Sequence, residues 1–490
     1  MNSVAEPLST SGQQQGQSTA LRAYESLPGP RGLPFFGNAL QVETPRFHQQ
    51  LEGWAREFGP FFKLQLVKRR VIVVGDHEAV AAVLRDRPDG FRRTARMQEI
   101  WTEMGLPIGV FGANGETWKR QRRMVMAGFD PAHVKRYLPA MQRVGEQLVA
   151  RWARAADAEA AIDLQADLMR FTVDTIAGLA FGAEVNTLES DQDIIQRHLD
   201  KLFPAIFRRI LSPLPLWRIV RTPADRRLER SIAEINAAVA GFISQARMRL
   251  QADPGLRERP NNLLEAMLVA ADQEGSGIDD EQVAGNVLTM LLAGEDTTAN
   301  TLAWMIHLLW QHPEALARAA EEVRRVGGDC LRPTQEQLAQ LDYIEACAHE
   351  TMRLKPVAPI LPLQTLHALQ IGNVQVPANT VVISLLRRDS VSDAHLPRAA
   401  AFEPERWLGG EGGPGAMASA AKRISMPFGA GPRICPGRYL ALLEMKMVMY
   451  GLLGRFDILG VDTADGRPPA EHLAFTMAPL GLRMRLRRRG

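Results

Sequence analysis

Apolar positions recur at helical spacing along most of this 490-residue chain. Stretches 115–127, 131–155, 160–181, 225–252, 262–273, 279–312, 313–326, 335–354 and 437–453 read as helices. Val71-Ile72-Val73-Val74, closed by Gly75, reads as a short buried strand, and strand-like runs lie near 371–386 and 473–487. The first 25 residues are different: Ser, Gln and Gly dominate, no apolar period develops, and residues 1–25 are expected to form a disordered tail. Leu27-Pro28-Gly29-Pro30-Arg31-Gly32-Leu33-Pro34 follows as a stiff, turn-rich entry. Gly409-Gly410 and Gly412-Gly413-Pro414-Gly415 read as a surface loop. Length alone suggests about three domains. No repeat and no long linker divides 27–490, however, so 26–490 is expected to be a single domain, mainly α with small β-sheets.

The longest helix expected, 279–312, opens at Asp279-Asp280, whose charges suit a helix start. It closes at His312-Pro313. At about 1.5 Å per residue it would span on the order of 50 Å, the width of a domain. It is apolar nearly all round through Val287–Leu292, which predicts burial. It then meets Gly294, Glu295, Asp296, Thr297 and Thr298, and polar residues at that depth need a reason.

Composition narrows the function classes. A formal net charge of +3 gives no sign of a nucleic-acid binder. The basic run Arg483, Arg485, Arg487, Arg488, Arg489 reads as a solvated strand end. Three cysteines, Cys330, Cys347 and Cys435, without paired spacing argue against a disulfide scaffold and for a reducing compartment. With no CxxC, no structural zinc site is expected. No signal peptide and no stretch of about 18 apolar residues is present, so a soluble cytoplasmic protein without a transmembrane anchor is expected.

The strongest local signal is Phe428-Gly429-Ala430-Gly431-Pro432-Arg433-Ile434-Cys435-Pro436-Gly437. Gly429 and Gly431 permit tight turns and the approach of a flat ligand. Pro436 suits a first helical position, and Leu440, Leu443 and Met447 mark one face of the helix that follows. Cys435 would then sit at a helix N-terminus beside the cation Arg433, where a thiolate is favoured as nucleophile or metal ligand. A buried structural cysteine beside a glycine turn is the plainer alternative.

The full spacing Phe-Gly-x-Gly-x-Arg-x-Cys-x-Gly resembles the heme-binding signature of the cytochrome P450 family. The resemblance spans about residues 27–488. It implies the family's helical triangular prism around heme b (iron protoporphyrin IX), with Cys435 as thiolate ligand to the iron and Phe428, Gly429 and Gly437 shaping the loop. In that family the thiolate pushes electron density that favours O–O cleavage.

Four separated segments agree. Ala293-Gly294-Glu295-Asp296-Thr297-Thr298 looks like the oxygen-activating motif. The resemblance implies a helix opened locally at Ala293 and Gly294, with Thr297, Asp296 and Glu295 as catalytic residues. Thr297 would hydrogen-bond bound oxygen or its water, and Asp296 would relay protons from solvent. Glu350-Thr351-Met352-Arg353 and Phe402-Glu403-Pro404-Glu405-Arg406-Trp407 resemble segments whose Glu350, Arg353 and Arg406 form a buried structural network. In Trp118-Lys119-Arg120-Gln121-Arg122, Trp118 and Arg122 lie one helical turn apart; the family's pair reaches a heme propionate, as Arg433 would. Taken alone, that segment reads as a basic surface helix. Lys119, Arg120 and Arg123 would face an acidic electron donor. One departure stands out: Leu361-Pro362-Leu363-Gln364 occupies the place of a propionate-binding arginine, which Gln364 is a candidate to replace.

The implied reaction inserts one oxygen atom of O2 into an apolar substrate, with two electrons and two protons. The chain ends 55 residues after Cys435, so electrons are expected from a separate partner: a ferredoxin with its reductase, or a flavodoxin. A monomer is expected. Pocket candidates are Met104, Ile108, Phe203, Ile360, Leu361, Phe475 and Met477, which suit a fatty acid, terpenoid, steroid or polyketide. The entry segment and Ala-Gly-Glu-Asp-Thr-Thr resemble the eukaryotic-like branch of bacterial members, which favours fatty acids. Three rivals stand beside this reading: a peroxide-driven peroxygenase on the same fold, a non-enzymatic heme sensor or electron carrier, and a metal-free cysteine hydrolase.

Overall fold

A computed structural model describes residues 20–129, 131–182, 185–189, 194–327, 332–409 and 415–489. Helices dominate and small sheets are attached, as the apolar pattern predicts. The expected helices appear within a few residues of their predicted bounds, with one division. The stretch 335–354 splits into Gln335–Ala339 and Asp342–Leu354. The reason is tertiary: the Glu322 carboxylate accepts from the backbone N–H groups of Tyr343 and Ile344, and so caps the second helix from outside.

Helices Phe47–Phe58, His77–Arg85, Ala95–Glu103, Ile194–Leu211 and Gly415–Ile424 were not foreseen. Most are short. Val71–Val74 lies within the strand Arg69–Val74, which pairs antiparallel with Phe61–Leu66 and parallel with Val381–Leu385. Ile360–Thr365 and Phe91–Arg92 complete a five-stranded sheet. The strand-like runs each divide into three strands, 369–371, 374–376 and 381–385, then 471–473, 477–479 and 482–488.

Within the expected disordered tail, residues 1–19 lie outside the described residues. Arg22 and Ala23, in contrast, pair with Val374 and Gln375, and Tyr24 is buried with its hydroxyl 3.3 Å from the Val71 carbonyl. Order therefore begins before residue 26, because a sheet edge holds the chain. Of the expected glycine loop, 410–414 also lie outside the described residues. Cys330 does as well, while Cys347 and Cys435 are free thiols. No helix among the described residues is long and apolar enough to cross a membrane.

The helix Asp280–Gln311 crosses the core, capped where Asp279 accepts from the Gln282 N–H at 2.8 Å. It runs unbroken through Ala293–Thr298, so the expected local opening is not present. Gly294 serves packing instead. A Cβ there would stand 2.3 Å from the Ile176 side chain, so glycine lets the helix Leu164–Ile176 cross closely.

Candidate active site

The cysteine loop joins two elements. Cys435 donates its backbone N–H to the Phe428 carbonyl at 2.9 Å, closing the loop on itself. Gly429 and Gly431 both take positive φ. At Gly431 a Cβ would lie 2.6 Å from the Arg85 Cα, so the loop rests directly on the end of the helix His77–Arg85. The helix Arg438–Arg455 follows with Gly437 as its N-cap, which leaves Pro436 two residues before the first turn rather than in it. Leu440, Leu443 and Met447 are buried, but so is every residue from 444 to 450, so the helix is buried nearly all round rather than along the single face expected.

Burial pushes the Cys435 thiol up, and the Gly437 amide with the cations Arg122 and Arg438 pulls it back only in part. Burial thus works against the ionised sulfur expected from the loop alone. A bound cation is what would ionise it. Arg433 is not the neighbouring charge the sequence suggested. Arg122 takes that place, donating from Nη2 to the Ile434 carbonyl at 2.8 Å.

Arg433 points elsewhere. Its guanidinium lies 4.9 Å from the Trp118 ring centroid and donates to the carbonyls of Val110 and Ala113. Its Nη1 is buried without a partner. Burial, with Arg87 and Arg122 nearby, pushes its pKa down to about 9. Arg93 is driven well below its ordinary value by burial and by repulsion from Arg433 and Arg87. It donates to the Phe111 carbonyl at 2.8 Å and stacks on the Phe111 ring. Arg87 falls to about 10 through burial, donating to the carbonyls of Leu84 and Ala430. Among the described residues no carboxylate pairs with any of the three.

Arg93 and Arg87 were missed from sequence, where they are two basic residues among many near Phe91-Arg92-Arg93. Gln364 is committed elsewhere: its Oε1 accepts from the Ala95 N–H at 3.0 Å and its Nε2 donates to the Asn379 carbonyl. Arg93 is a buried cation in the same region, which the sequence did not single out.

An apolar cavity of about 760 Å³ lies beside the long helix, lined by its Thr289, Leu292, Ala293 and Thr297. Ala293, Thr297, Phe203, Ile360, Leu361 and Phe475 line it. Phe475 holds a strained φ of 93° and stacks on Phe203 with centroids 4.6 Å apart. The other three pocket candidates are placed differently. Met477 is fully buried in a separate core cluster with Leu473 and Trp304, two residues beyond Phe475 and past the turn. Met104 caps the helix Ala95–Glu103 and packs into the main core. Ile108 borders a second groove beside the start of the long helix.

The Thr297 hydroxyl donates to the Ala293 carbonyl at 2.7 Å, one turn back. Asp296 accepts from Asn300 Nδ2 at 2.8 Å and from the Thr476 hydroxyl, which ties it to the turn that carries Phe475. Gln165 donates to Asn300 at 2.7 Å, so a polar chain runs from the start of the helix Leu164–Ile176 to Asp296. Burial raises the Asp296 carboxyl, opposed by those two donors. Glu295 does not line the cavity: it is buried, and its carbonyl accepts from Thr172 at 2.8 Å on the far side of the helix. Behind the motif, Glu444 is buried and pushed up to about 8, with Thr298 as its hydrogen-bond partner.

Glu350, Arg353 and Arg406 come together as the sequence implied. Arg353 makes two bonds of 2.7 Å to Glu350 and donates to the carbonyls of Ser390, Ala399 and Ala401. Arg406 reaches Glu350 at 3.3 Å and Trp407 donates to it at 2.9 Å.

A family model described as cytochrome P450 matches residues 27–485. A self-sufficient cytochrome P450 monooxygenase, CYP505E5 of Aspergillus niger, is 28% identical over 477 residues, covering 95% of this chain and 43% of the relative. A bifunctional cytochrome P450/NADPH–P450 reductase of Bacillus cereus is 28% identical over 446 residues, covering 89% and 40%. The chloroplastic cytochrome P450 97B2 of Glycine max is 28% identical, covering 83% and 77%. The chain thus spans less than half the length of the fungal and Bacillus relatives.

Proposed function

This chain belongs to the cytochrome P450 family, whose cofactor is heme, and from that premise we propose that it is a heme-thiolate monooxygenase acting on an apolar substrate. The observation that carries the reading is the group of three buried guanidiniums beside the cysteine loop, without a carboxylate among the described residues. A flat, dianionic macrocycle ligated at Cys435 answers all of it: sulfur for the metal, and propionates for Arg433 and Arg93. Trp118 supports Arg433 from behind, and Arg122 steadies the loop and the sulfur's charge.

Bound there, heme supplies the oxygen-activating iron. The chain's own residues do the rest. The apolar cavity excludes water and holds the substrate against Ala293 and Thr297, with the Phe203–Phe475 stack as one wall. Asp296, next to Thr297 and with its carboxyl raised by burial, relays protons toward the Thr297 hydroxyl, which releases Ala293 to donate into the cavity. Glu295 is left out of this step. Electrons come from a redox partner. The names of the bifunctional relatives favour a reductase over a ferredoxin.

Two measurements test the reading. The reduced, carbon-monoxide-bound protein is expected to show the red-shifted Soret band of a thiolate ligand, lost in Cys435→Ser. A band that survives the substitution sinks the assignment. Thr297→Ala is expected to keep reductant consumption while product yield falls and peroxide rises. Unchanged coupling removes Thr297 from proton delivery and favours the peroxide-driven alternative.

A further inference from the structure

Away from the cavity, two imidazoles and a carboxylate meet where the helix His77–Arg85 begins. Asp389 Oδ2 accepts the backbone N–H of His77 at 2.8 Å and lies 2.9 Å from its Nδ1. His395 Nε2 lies 3.6 Å from the same oxygen. The two rings stand edge to face with centroids 4.9 Å apart. One donor atom from each residue falls within 4.8 Å of the others. Arg388 takes the remaining oxygen of Asp389. His77 and Asp389 are buried, while His395 is exposed.

Capping accounts for only part of this arrangement. Asp389 satisfies the helix start through the His77 backbone, which requires no imidazole at all. His395 is aimed at an oxygen it does not bond, since 3.6 Å is beyond hydrogen-bond range. Bonds of about 2.0–2.1 Å place the ligands of a tetrahedral zinc ion about 3.3 Å apart. The observed 2.9 and 3.6 Å bracket that separation. Two imidazoles and a carboxylate oxygen are also the donor set that borderline transition ions take. Arg388 leaves one oxygen available and fixes the carboxylate's orientation.

We propose that His77, Asp389 and His395 bind a divalent transition-metal ion, zinc fitting best, with solvent in the fourth position beside His395. The ion joins the segment 389–395 to the helix His77–Arg85. That helix ends against Gly431, and Arg87 beyond it donates to the Ala430 carbonyl. The site therefore braces the cysteine loop from outside and takes no part in oxygen chemistry. No cysteine pair or short histidine spacing announces it, because His77 lies more than 300 residues from Asp389 and His395.

The test uses the full chain with its heme, free of affinity tags, depleted of metal by a chelator and titrated with Zn2+ alone. Calorimetry and metal analysis are expected to find one zinc per chain and a zinc-dependent rise in Tm. His395→Gln and His77→Gln each keep the Asp389 cap; each is expected to weaken binding at least tenfold and abolish the rise. His395 is exposed, so its variant folds even where that of His77 does not. Failure to take up zinc, or equal uptake and an equal Tm rise in His395→Gln, overturns the site.

Discussion

Two groups of buried arginines give this molecule opposite kinds of stability. Arg353 and Arg406 are paired with carboxylates: Arg353 with both Glu350 oxygens and several carbonyls, Arg406 with Glu350 and Glu403. Arg87, Arg93 and Arg433 are buried beside one another, repel one another, and bond only neutral carbonyls. The first group finds its carboxylates, Glu350 and Glu403, within the polypeptide, although Arg406 Nη1 has no partner among the described residues. The second is incomplete, and an isolated cation in a low-dielectric interior is costly. It makes sense where an anion is the missing partner.

The largest effect is expected at the paired group. Glu350→Ala strands the buried guanidinium of Arg353, leaves Arg406 with Glu403 alone, and should cost about 3–5 kcal/mol, read as a lower urea midpoint with or without heme. A loss under about 1 kcal/mol would mean the network is no more than surface-like decoration.

Glu444 shows the converse, a buried carboxyl with no cation beside it among the described residues. Its pKa of about 8 lies above the ordinary 4.5. The folded state therefore keeps a proton that the unfolded chain has released, and stability falls as pH rises from the unfolded value toward 8. Between pH 6 and pH 8 the loss should reach about 3 kcal/mol at most. Glu444→Gln should flatten that slope in urea titrations at stepped pH. A wild-type curve already flat across the window contradicts a neutral Glu444.

The incomplete group should respond in the other direction. Arg433→Leu should leave the heme-free protein as stable as before, or more so, because an unpaired cation is removed. The same change should weaken hemin affinity by about 2 kcal/mol, roughly thirtyfold, measured by hemin transfer to an apo-globin acceptor. A marked loss of heme-free stability would place Arg433 in the first group instead.

Legibility in the sequence follows the same division. The Glu350–Arg353 pair lies three residues apart on one helix, and the Cys435 loop is ten contiguous residues with its own turn glycines. Both are local patterns and can be read without a fold. Arg93, Arg87 and Glu444 carry no local mark: what distinguishes them is the company brought by distant segments. Gln364 and Glu295 were misjudged for the same reason. Ala95 and Asn379 claim the amide of Gln364, and helix rotation turns Glu295 away from the cavity. Of the pocket candidates, Phe203, Ile360, Leu361 and Phe475 face the cavity, whereas Met104, Ile108 and Met477 do not, since every apolar side chain has a core to choose as well.

By itself, the sequence determined the helical class, the long central helix, the cysteine loop and the Glu350–Arg353 pair. Each of these is written within one element or one turn, where spacing sets which side chains share a face. The tertiary structure alone decided which buried charges have partners, which apolar residues line the cavity, and which histidines meet Asp389. Those outcomes depend on desolvation and on contacts between residues far apart in the chain, and neither leaves a periodic trace in the sequence.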